Sequence, residues 1–184
     1  ATVRLVINPE KMVIKEAQRS FATLNLFGYI VDAVIVNRLI PDEVNEGYFS
    51  AWKKSQSKYY QLIEESFSPL PILSIPLFKQ EVVGEKMLKL MAETTYGNEN
   101  PLKIMFASQP QTVSKKNGKY ALTLMLPFVS KDDVSLLQRG DELVVKVGSY
   151  KRQIILPRVL RGLETSGAKL ENNRLLIKFE EGKQ

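Results

Sequence analysis

The run of residues from Val31 to Asn37 constrains the fold of this chain more than any other stretch. Its first six residues, VDAVIV, include five apolar side chains, and four of these are valine or isoleucine. Such a run is too short and too rich in β-branched residues for a helix. Because it is apolar on both faces, it is typical of a parallel strand covered by helices. We therefore predict a buried parallel strand that ends at Asn37.

Asn37 occupies the position where a sheet of this kind binds ligands. Open parallel sheets bind ligands beyond the carboxyl ends of their strands. The asparagine amide offers one acceptor and two donors on a short side chain, so Asn37 could read the edge of a heterocyclic base. The alternative is that Asn37 only begins a turn, and the residues leave both readings open.

The first hundred residues alternate between strand-like and helix-like segments. The predicted strands lie at residues 3–8, 31–37 and 71–76. The predicted helices lie at residues 9–27, 52–67 and 82–96. Asn8-Pro9 should begin the first helix and Gly28 should end it, while Pro76 should end the third strand because proline cannot donate to a sheet ladder. This spacing predicts an α/β fold with right-handed crossovers, in which the ends of the second and third strands are neighbours.

Each of the first two helices should have one apolar face, and that face should be buried. The predicted stripes are Val13, Ala17, Phe21 and Leu24 in the first helix, and Trp52, Tyr59, Ile63 and Phe67 in the second. Spacings of three and four residues place each set on one side of its helix. We expect the aromatic set to belong to the core; a platform for a ligand is the alternative.

The pattern of apolar residues changes from helical to alternating after residue 98. A linker at residues 99–101 separates an α/β domain at 1–98 from a second domain at 102–184. Asn117-Gly118 is a hairpin signal, and Leu122, Leu124 and Leu126 point to one face of a strand. Several short strands separated by turn signals predict an all-β antiparallel sandwich.

Composition excludes several classes of function. The chain has no cysteine and no histidine, which excludes disulfides, thiolate zinc sites and catalysis by a Cys or His side chain. The net charge is +6, and residues 101–184 carry the excess, with 15 basic against 8 acidic side chains. Nucleic acid is not expected as a partner, because no aromatic stacking pattern accompanies these charges. No apolar run reaches the roughly 18 residues of a membrane span, and no signal peptide opens the chain, so we expect a cytoplasmic protein.

Five motifs carry a family resemblance over residues 1–96. In order, they are Asn8-Pro-Glu10, Glu16-Ala-Gln-Arg19, Gly28-x-x-Val-Asp32, Ile35-Val-Asn37-Arg38 and Pro76-Leu-x-x-x-Glu81-Val-x-Gly84. Together they resemble the carboxyl-terminal half of the anion-transporting ATPases, which include the arsenite-pump ATPase and the ATPases that target tail-anchored membrane proteins. The resemblance implies the carboxyl-terminal part of a P-loop-NTPase-type parallel sheet, whose P-loop half is missing from this chain.

The resemblance also implies roles for single residues. Asn37 would read adenine, and Pro76, Leu77 and Phe78 would pack against the same base. Glu10 would approach the nucleotide of the partner subunit in a closed homodimer. Glu16 and Arg19 match helix positions that we take as structural. The implied cofactors are ATP and Mg²⁺ in the complete protein, with none bound tightly by this chain alone.

Other parts of the family pattern are absent from this sequence. There is no G-x-x-x-x-G-K-[ST] loop and no switch aspartate, so the chain should hydrolyse ATP only as part of a complete protein. No catalytic residue and no metal ligand are therefore assigned. The Cys-x-x-Cys clasp of the tail-anchored-protein ATPases is missing before Trp52, and no cysteine could bind metalloid, so the residues do not support arsenite transport.

Residues 102–181 resemble the α-crystallin-like sandwich of small heat-shock proteins. The carrying motifs are Arg152-x-Ile-x-Leu156-Pro157 and Ala168-x-Leu-Glu-Asn-Asn173-x-Leu175-x-Ile177. Asn173 stands where that family usually has glycine, and asparagine also tolerates a left-handed turn. The I-x-I tail is absent, which favours a module that binds in cis or holds one partner.

Two functions follow from these observations. In the first, the chain is the carboxyl-terminal portion of an ATPase, where it contributes the adenine side of the pocket and dimer contacts, and the sandwich binds a protein client or a membrane-protein partner. In the second, the chain is a non-catalytic, chaperone-like interaction module that uses the sandwich.

Overall fold

The computed structural model describes residues 1–44, 47–116 and 118–182. The chain forms two compact units, each assembled from two segments. The first unit comprises Ala1–Gln18 and Val31–Ser108, and the second comprises Arg19–Ile30 and Gln109–Gln184. These limits differ from the predicted domains 1–98 and 102–184, because residues 19–30 join the second unit and residues 102–108 join the first.

The first unit is built on a parallel three-stranded sheet. Its strands are β1 (Val3–Ile7), β2 (Val31–Leu39) and β3 (Ile72–Pro76), in the spatial order β1-β2-β3. The helices are α1 (Lys11–Leu26), α2 (Ser50–Phe67) and α3 (Gly84–Tyr96). Residues 31–36 of β2 are all buried, as expected for a central parallel strand. The predicted parallel sheet with helices is confirmed.

Two helices begin later than the sequence predicts. The Ile14 N–H donates to the Glu10 carbonyl at 2.9 Å, so Glu10 rather than Asn8 occupies the N-cap position of α1. The Glu10 N–H in turn donates to the Asn8 carbonyl at 2.7 Å, which makes Asn8-Pro9 part of a turn before the helix. The third helix begins at Gly84 instead of residue 82.

The buried helix faces agree only in part with the predicted stripes. In α1 the most buried apolar residues are Ile14, Ala17, Ala22 and Leu26, while Val13, Phe21 and Leu24 are half-buried. In α2, Ile63 and Phe67 are buried as predicted and Tyr59 is half-buried. Trp52 is 57% exposed, so its assignment to the core is wrong. It lies in the first turn of the helix, at the end opposite to the buried pair.

An ion pair between β1 and β2 also holds the last residues of the first unit. The Asp32 carboxylate is fully buried, and Arg4 donates to it from Nε at 3.3 Å and from Nη2 at 3.4 Å. Asp32 also accepts a bond from the Met105 N–H at 3.2 Å, and Arg4 donates to the Lys103 carbonyl at 2.9 Å and to the Tyr96 hydroxyl at 3.2 Å. These bonds fasten residues 103–105 to the sheet.

The charge of Asp32 is stabilised inside the protein. Burial alone would raise the pKa of Asp32, but the hydrogen bonds from Arg4 and from the Met105 N–H outweigh it and hold the pKa below its usual value of 3.8. Asp32 therefore remains ionised and contributes to the stability of the first unit at neutral pH.

The second unit is an antiparallel β-sandwich, as predicted. Its strands are β4 (Gln111–Lys116), β5 (Lys119–Met125), β6 (Val134–Arg139), β7 (Glu142–Val147), β8 (Tyr150–Ile155), β9 (Leu163–Glu171) and β10 (Arg174–Glu181). They form two sheets, with the orders β4-β5-β10-β9 and β6-β7-β8. Leu122 and Leu124 of β5 and Leu126 directly after it are fully buried, which confirms the predicted alternation.

Two hairpin predictions concern the turns of the sandwich. Glu171 pairs with Arg174, and the two residues between them, Asn172 and Asn173, have φ values of 50° and 60°. Positive φ at both central residues is the type I′ geometry, so the predicted left-handed turn at Asn173 is confirmed. In the other hairpin Lys116 pairs with Lys119, while Asn117 itself lies outside the described residues.

The end of α1 completes the core of the second unit. Leu26 is only 1% exposed and packs in the same cluster as Leu122, Ile177 and the other inward-facing residues of the sandwich. The Arg152 guanidinium donates to the Leu26 carbonyl, and also to Gln111 Oε1 at 3.0 Å. Burial lowers the pKa of Arg152. An arginine that satisfies the last carbonyls of a helix also complements the negative end of its dipole.

Candidate functional site

A cavity of about 430 Å³ lies where β2 and β3 end, and we call it the base cavity. All four residues predicted to surround adenine line it, namely Asn37, Pro76, Leu77 and Phe78. Its remaining lining residues are Arg38, Ile75, Gln80, Glu81, Val82 and Met91. The prediction that the second and third strands end side by side is therefore confirmed, and the predicted residues converge on one cavity.

The pairing of β2 with β3 creates this convergence. Leu39 pairs with Pro76, and the Leu77 N–H donates to the Leu39 carbonyl at 2.7 Å. The strand thus continues two residues beyond Asn37, and the register shifts between Val36 and Leu39. Proline ends the ladder at the neighbouring position because it has no N–H to donate. Residues at both strand ends line the cavity.

Asn37 is half-buried and has its full hydrogen-bonding capacity available for a ligand. Its side-chain amide makes no hydrogen bond with any residue within 1–44, 47–116 and 118–182. An asparagine that only shaped a turn would bond its own backbone a few residues away. No such bond is present among the described residues, and a role for Asn37 towards a ligand stays a prediction.

Glu10 lines a different cavity, of about 310 Å³, which we call the Glu10 cavity. Its other lining residues are Asn8, Pro9, Lys11, Arg38, Ile40, Trp52, Ser55, Gln56 and Tyr59. The Gln56 amide fixes one wall, since it accepts from the Ile40 N–H at 2.7 Å and donates to the Ile40 carbonyl at 3.2 Å. The structure thus separates Glu10 from the four residues around the base cavity.

Arg38 is the site residue that the sequence reasoning missed. It lines both cavities, and its backbone has φ of 58°, which is unusual for a residue other than glycine. Its position directly after Asn37 in one of the family motifs was the available signal. Trp52, expected in the core, lines the Glu10 cavity with Tyr59, and the alternative that these aromatic residues form a ligand platform stays a prediction.

The base cavity suits a flat heterocycle. Its volume falls within the roughly 300–1,000 Å³ of small-molecule sites. Apolar side chains line it together with the Asn37 amide and the polar or charged side chains of Arg38, Gln80 and Glu81. A group that cradles phosphates is absent from the sequence, which has no G-x-x-x-x-G-K-[ST] loop. No cluster of three or more Asp or Glu side chains suited to a metal ion occurs in the described ranges. The residues present therefore fit a base, while phosphate and Mg²⁺ would need other groups.

Sequence comparison identifies both halves of the chain. Residues 1–97 match the family model described as anion-transporting ATPase, and residues 117–179 match the one described as HSP20-like domain found in ArsA. The first match alone spans more than half of the chain. The chain belongs to the anion-transporting ATPase family. The α/β unit of this family member and its β-sandwich thus correspond to two recognised sequence domains.

Curated relatives extend the similarity over the whole chain. The protein named “Putative arsenical pump-driving ATPase 1” from Aquifex aeolicus is 44% identical over 180 residues, which are 96% of this chain and 46% of that protein. A protein named “Putative arsenical pump-driving ATPase” from Prosthecochloris vibrioformis is 41% identical over 184 residues, 100% of this chain and 45% of that protein. The chain thus spans less than half the length of these relatives.

A solved structure resembles part of the chain. The small heat shock protein AgsA from Salmonella typhimurium, in a form truncated at its C-terminus, is 16% identical with a TM-score of 0.33. The similarity covers 42% of this chain and 90% of that one. Separately, none of the helices in the described parts of this family member is long and apolar enough to cross a membrane.

Proposed function

We propose that this chain supplies the adenine side of the nucleotide site in an ATP-hydrolysing protein of the anion-transporting ATPase family. The observation that supports it is the convergence of Asn37, Pro76, Leu77 and Phe78 on one cavity. The Asn37 amide would accept a bond from the adenine amino group and donate to a ring nitrogen, while the apolar residues exclude water from the base. Buried polar groups without partners are penalised, so the amide discriminates between bases.

ATP hydrolysis would require residues that this chain does not carry. A glycine-rich loop, its lysine and a hydroxyl hold the phosphates and Mg²⁺ in P-loop enzymes. In our proposal the amino-terminal ATPase half of the complete protein provides this loop, its lysine and the hydroxyl. The complete protein uses ATP and Mg²⁺ as cofactors. The chain's own residues bind and orient the base and take no part in the transfer of the phosphoryl group.

Glu10 would face the nucleotide of the partner subunit in a homodimer. A carboxylate close to phosphates is tolerated only beside compensating cations. Lys11 lines the same cavity as Glu10 and would offset its charge. Trp52 is 57% exposed at this cavity and would be covered by a partner subunit.

The sandwich would bind a protein client or a membrane-protein partner. Its edge strand β8 ends at Ile155, whose side chain is 70% exposed, and Val159 shortly after it is 53% exposed. In the second candidate function, the same side chains would bind clients of a chaperone-like module that acts without hydrolysis. If the second function is correct, Ile155→Ser should weaken the suppression of client aggregation. Asn37→Ala, in the base cavity, should leave this suppression unchanged.

The decisive experiment measures nucleotide affinity in the complete protein that contains this sequence. Asn37→Ala should weaken ATP binding by roughly 5- to 150-fold, because an unpaired polar group costs about 1–3 kcal/mol. It should also reduce the preference for ATP over GTP. Asn98→Ala removes an identical but exposed side chain outside both cavities and serves as the control.

The outcome separates the two candidate functions. Weaker ATP binding with reduced base preference in Asn37→Ala, and normal binding in Asn98→Ala, would support the adenine-side proposal. Unchanged affinity and unchanged base preference in Asn37→Ala would refute it. Function would then have to reside in the sandwich.

A further inference from the structure

We infer that Arg38 is a second base-recognition residue, whose guanidinium lies flat against the adenine ring that Asn37 reads by its edge. The inference rests on the proposed function, since it concerns the ligand of the same base cavity. In this arrangement Arg38 contacts the planar, uncharged face of the base and not the phosphates.

The backbone at Arg38 departs from strand geometry in a way that brings two consecutive side chains to one cavity. Successive residues of a strand point to opposite faces of the sheet, so Asn37 and Arg38 would normally diverge. The φ of 58° at Arg38 interrupts this alternation, and the register of β2 against β3 shifts at the same point. Both residues consequently line the base cavity.

This conformation is unfavourable for arginine. A left-handed backbone costs a residue with a β-carbon about 1–2 kcal/mol, and glycine would avoid that cost. Strained residues of this kind concentrate at sites where a particular side chain is needed. The presence of arginine rather than glycine therefore points to a use for its guanidinium.

The Arg38 side chain has no internal role that would account for it. It is exposed, and it makes no hydrogen bond or ion pair with any residue in the described parts of the chain. Glu10 and Glu81 line the cavities that Arg38 also lines, and neither is within ion-pair distance of it. The guanidinium is thus available to a ligand.

Stacking matches the remaining lining of the cavity. Pro76, Leu77 and Phe78 present apolar surface, which suits one face of a base. A guanidinium is planar and weakly hydrated, and it stacks on aromatic faces, whereas a lysine ammonium is a compact and strongly hydrated charge. Arg38 would therefore cover the base in a way that lysine could not reproduce.

The test compares ATP with adenosine, which has the same base and no phosphate. Affinities are measured in the complete protein by calorimetry for ATP and by competition for adenosine. Glycine adopts a positive φ without strain, so Arg38→Gly removes the side chain and preserves the backbone conformation. Arg38→Asn, which also tolerates a positive φ, provides a second variant in case the first alters the strand. Arg139→Ala changes the net charge equally at an exposed position of β6 and is the control.

We expect Arg38→Gly and Arg38→Asn to weaken the binding of ATP and of adenosine by the same factor, about 2- to 30-fold. Lysine at this position, in Arg38→Lys, should restore the affinity for neither ligand. A loss confined to ATP and restored by lysine would show a contact with phosphate and overturn the inference. So would unchanged affinity for both ligands. If Asn37→Ala also has no effect, the proposed function itself fails; if Asn37→Ala weakens binding and Arg38→Gly does not, only the role of Arg38 is wrong.

Discussion

Leu26→Ala should destabilise the β-sandwich, although Leu26 lies within the segment that matches the ATPase family. Leu26 is 1% exposed, and it belongs to the buried cluster formed by Leu122, Leu124 and Ile177. Removing a leucine side chain from such a position costs about 2–5 kcal/mol, because the lost burial is compounded by the cavity left behind. Alanine is a good helix former, so the substitution itself does not disfavour α1.

Amide hydrogen exchange of the 184-residue chain can locate this loss. We expect protection to fall in β5 and β10, by the equivalent of about 2–5 kcal/mol in opening free energy, and to change less in β2. Leu88→Ala deletes the same atoms from a side chain that is 50% exposed in α3, and it should change stability by less than about 0.5 kcal/mol.

Unchanged protection of β5 and β10 in Leu26→Ala would contradict this prediction. Equal effects of Leu26→Ala and Leu88→Ala would contradict it as well. Either result would mean that the buried position of Leu26 contributes nothing to the sandwich, and that the second unit is complete without the end of α1.

Two further predictions concern stability. Asp32→Asn should destabilise the chain at neutral pH by about 3 kcal/mol, because it leaves the charge of Arg4, whose side chain is 18% exposed, without its partner. Folding lowers the pKa of Asp32, so the unfolded chain binds this proton more readily than the folded chain. In urea unfolding, the difference in stability between wild type and Asp32→Asn should therefore shrink as the pH falls below 3.8. A difference that stays constant with pH would contradict the lowered pKa of Asp32. At Asn173, where φ is 60°, glycine should leave the melting temperature equal or higher and valine should lower stability by about 1–2 kcal/mol. Equal melting temperatures for the glycine and valine variants would contradict a left-handed turn.

Strands and turns could be predicted because their signals are local. The β-branched run at Val31–Val36 forms the buried centre of a parallel sheet, and Asn172-Asn173 forms the predicted turn. The convergence on the base cavity was also predictable, since parallel strands that are consecutive in the chain end at the same edge. The residues expected around adenine do line one cavity, while their role there remains a proposal.

The errors arose where the outcome depended on distant partners. Asn8-Pro9 has the residue types of a helix start, but the first helical bond goes to the Glu10 carbonyl. Periodicity placed Trp52 on an apolar face without showing whether anything covers that end of α2. It likewise assigned α1 an apolar face, yet could not reveal that Leu26 packs in the sandwich, because amphipathicity defines a face and not its partner. Arg38 stood in a family motif beside Asn37, but the positive φ that accompanies its place at both cavities has no sequence signal.

The division of α1 between the two units also determines the order in which the chain can fold as it leaves the ribosome. Leu26 and Arg152 are separated by 126 positions in sequence. At about 5–20 residues per second, synthesis of that interval takes roughly 6–25 s. During this time the first parallel sheet can already assemble from early segments, while the apolar end of α1 still lacks its partners. The nascent chain therefore exposes the apolar end of α1 at least until β8 has been synthesised, and exposed apolar surface of this kind favours aggregation.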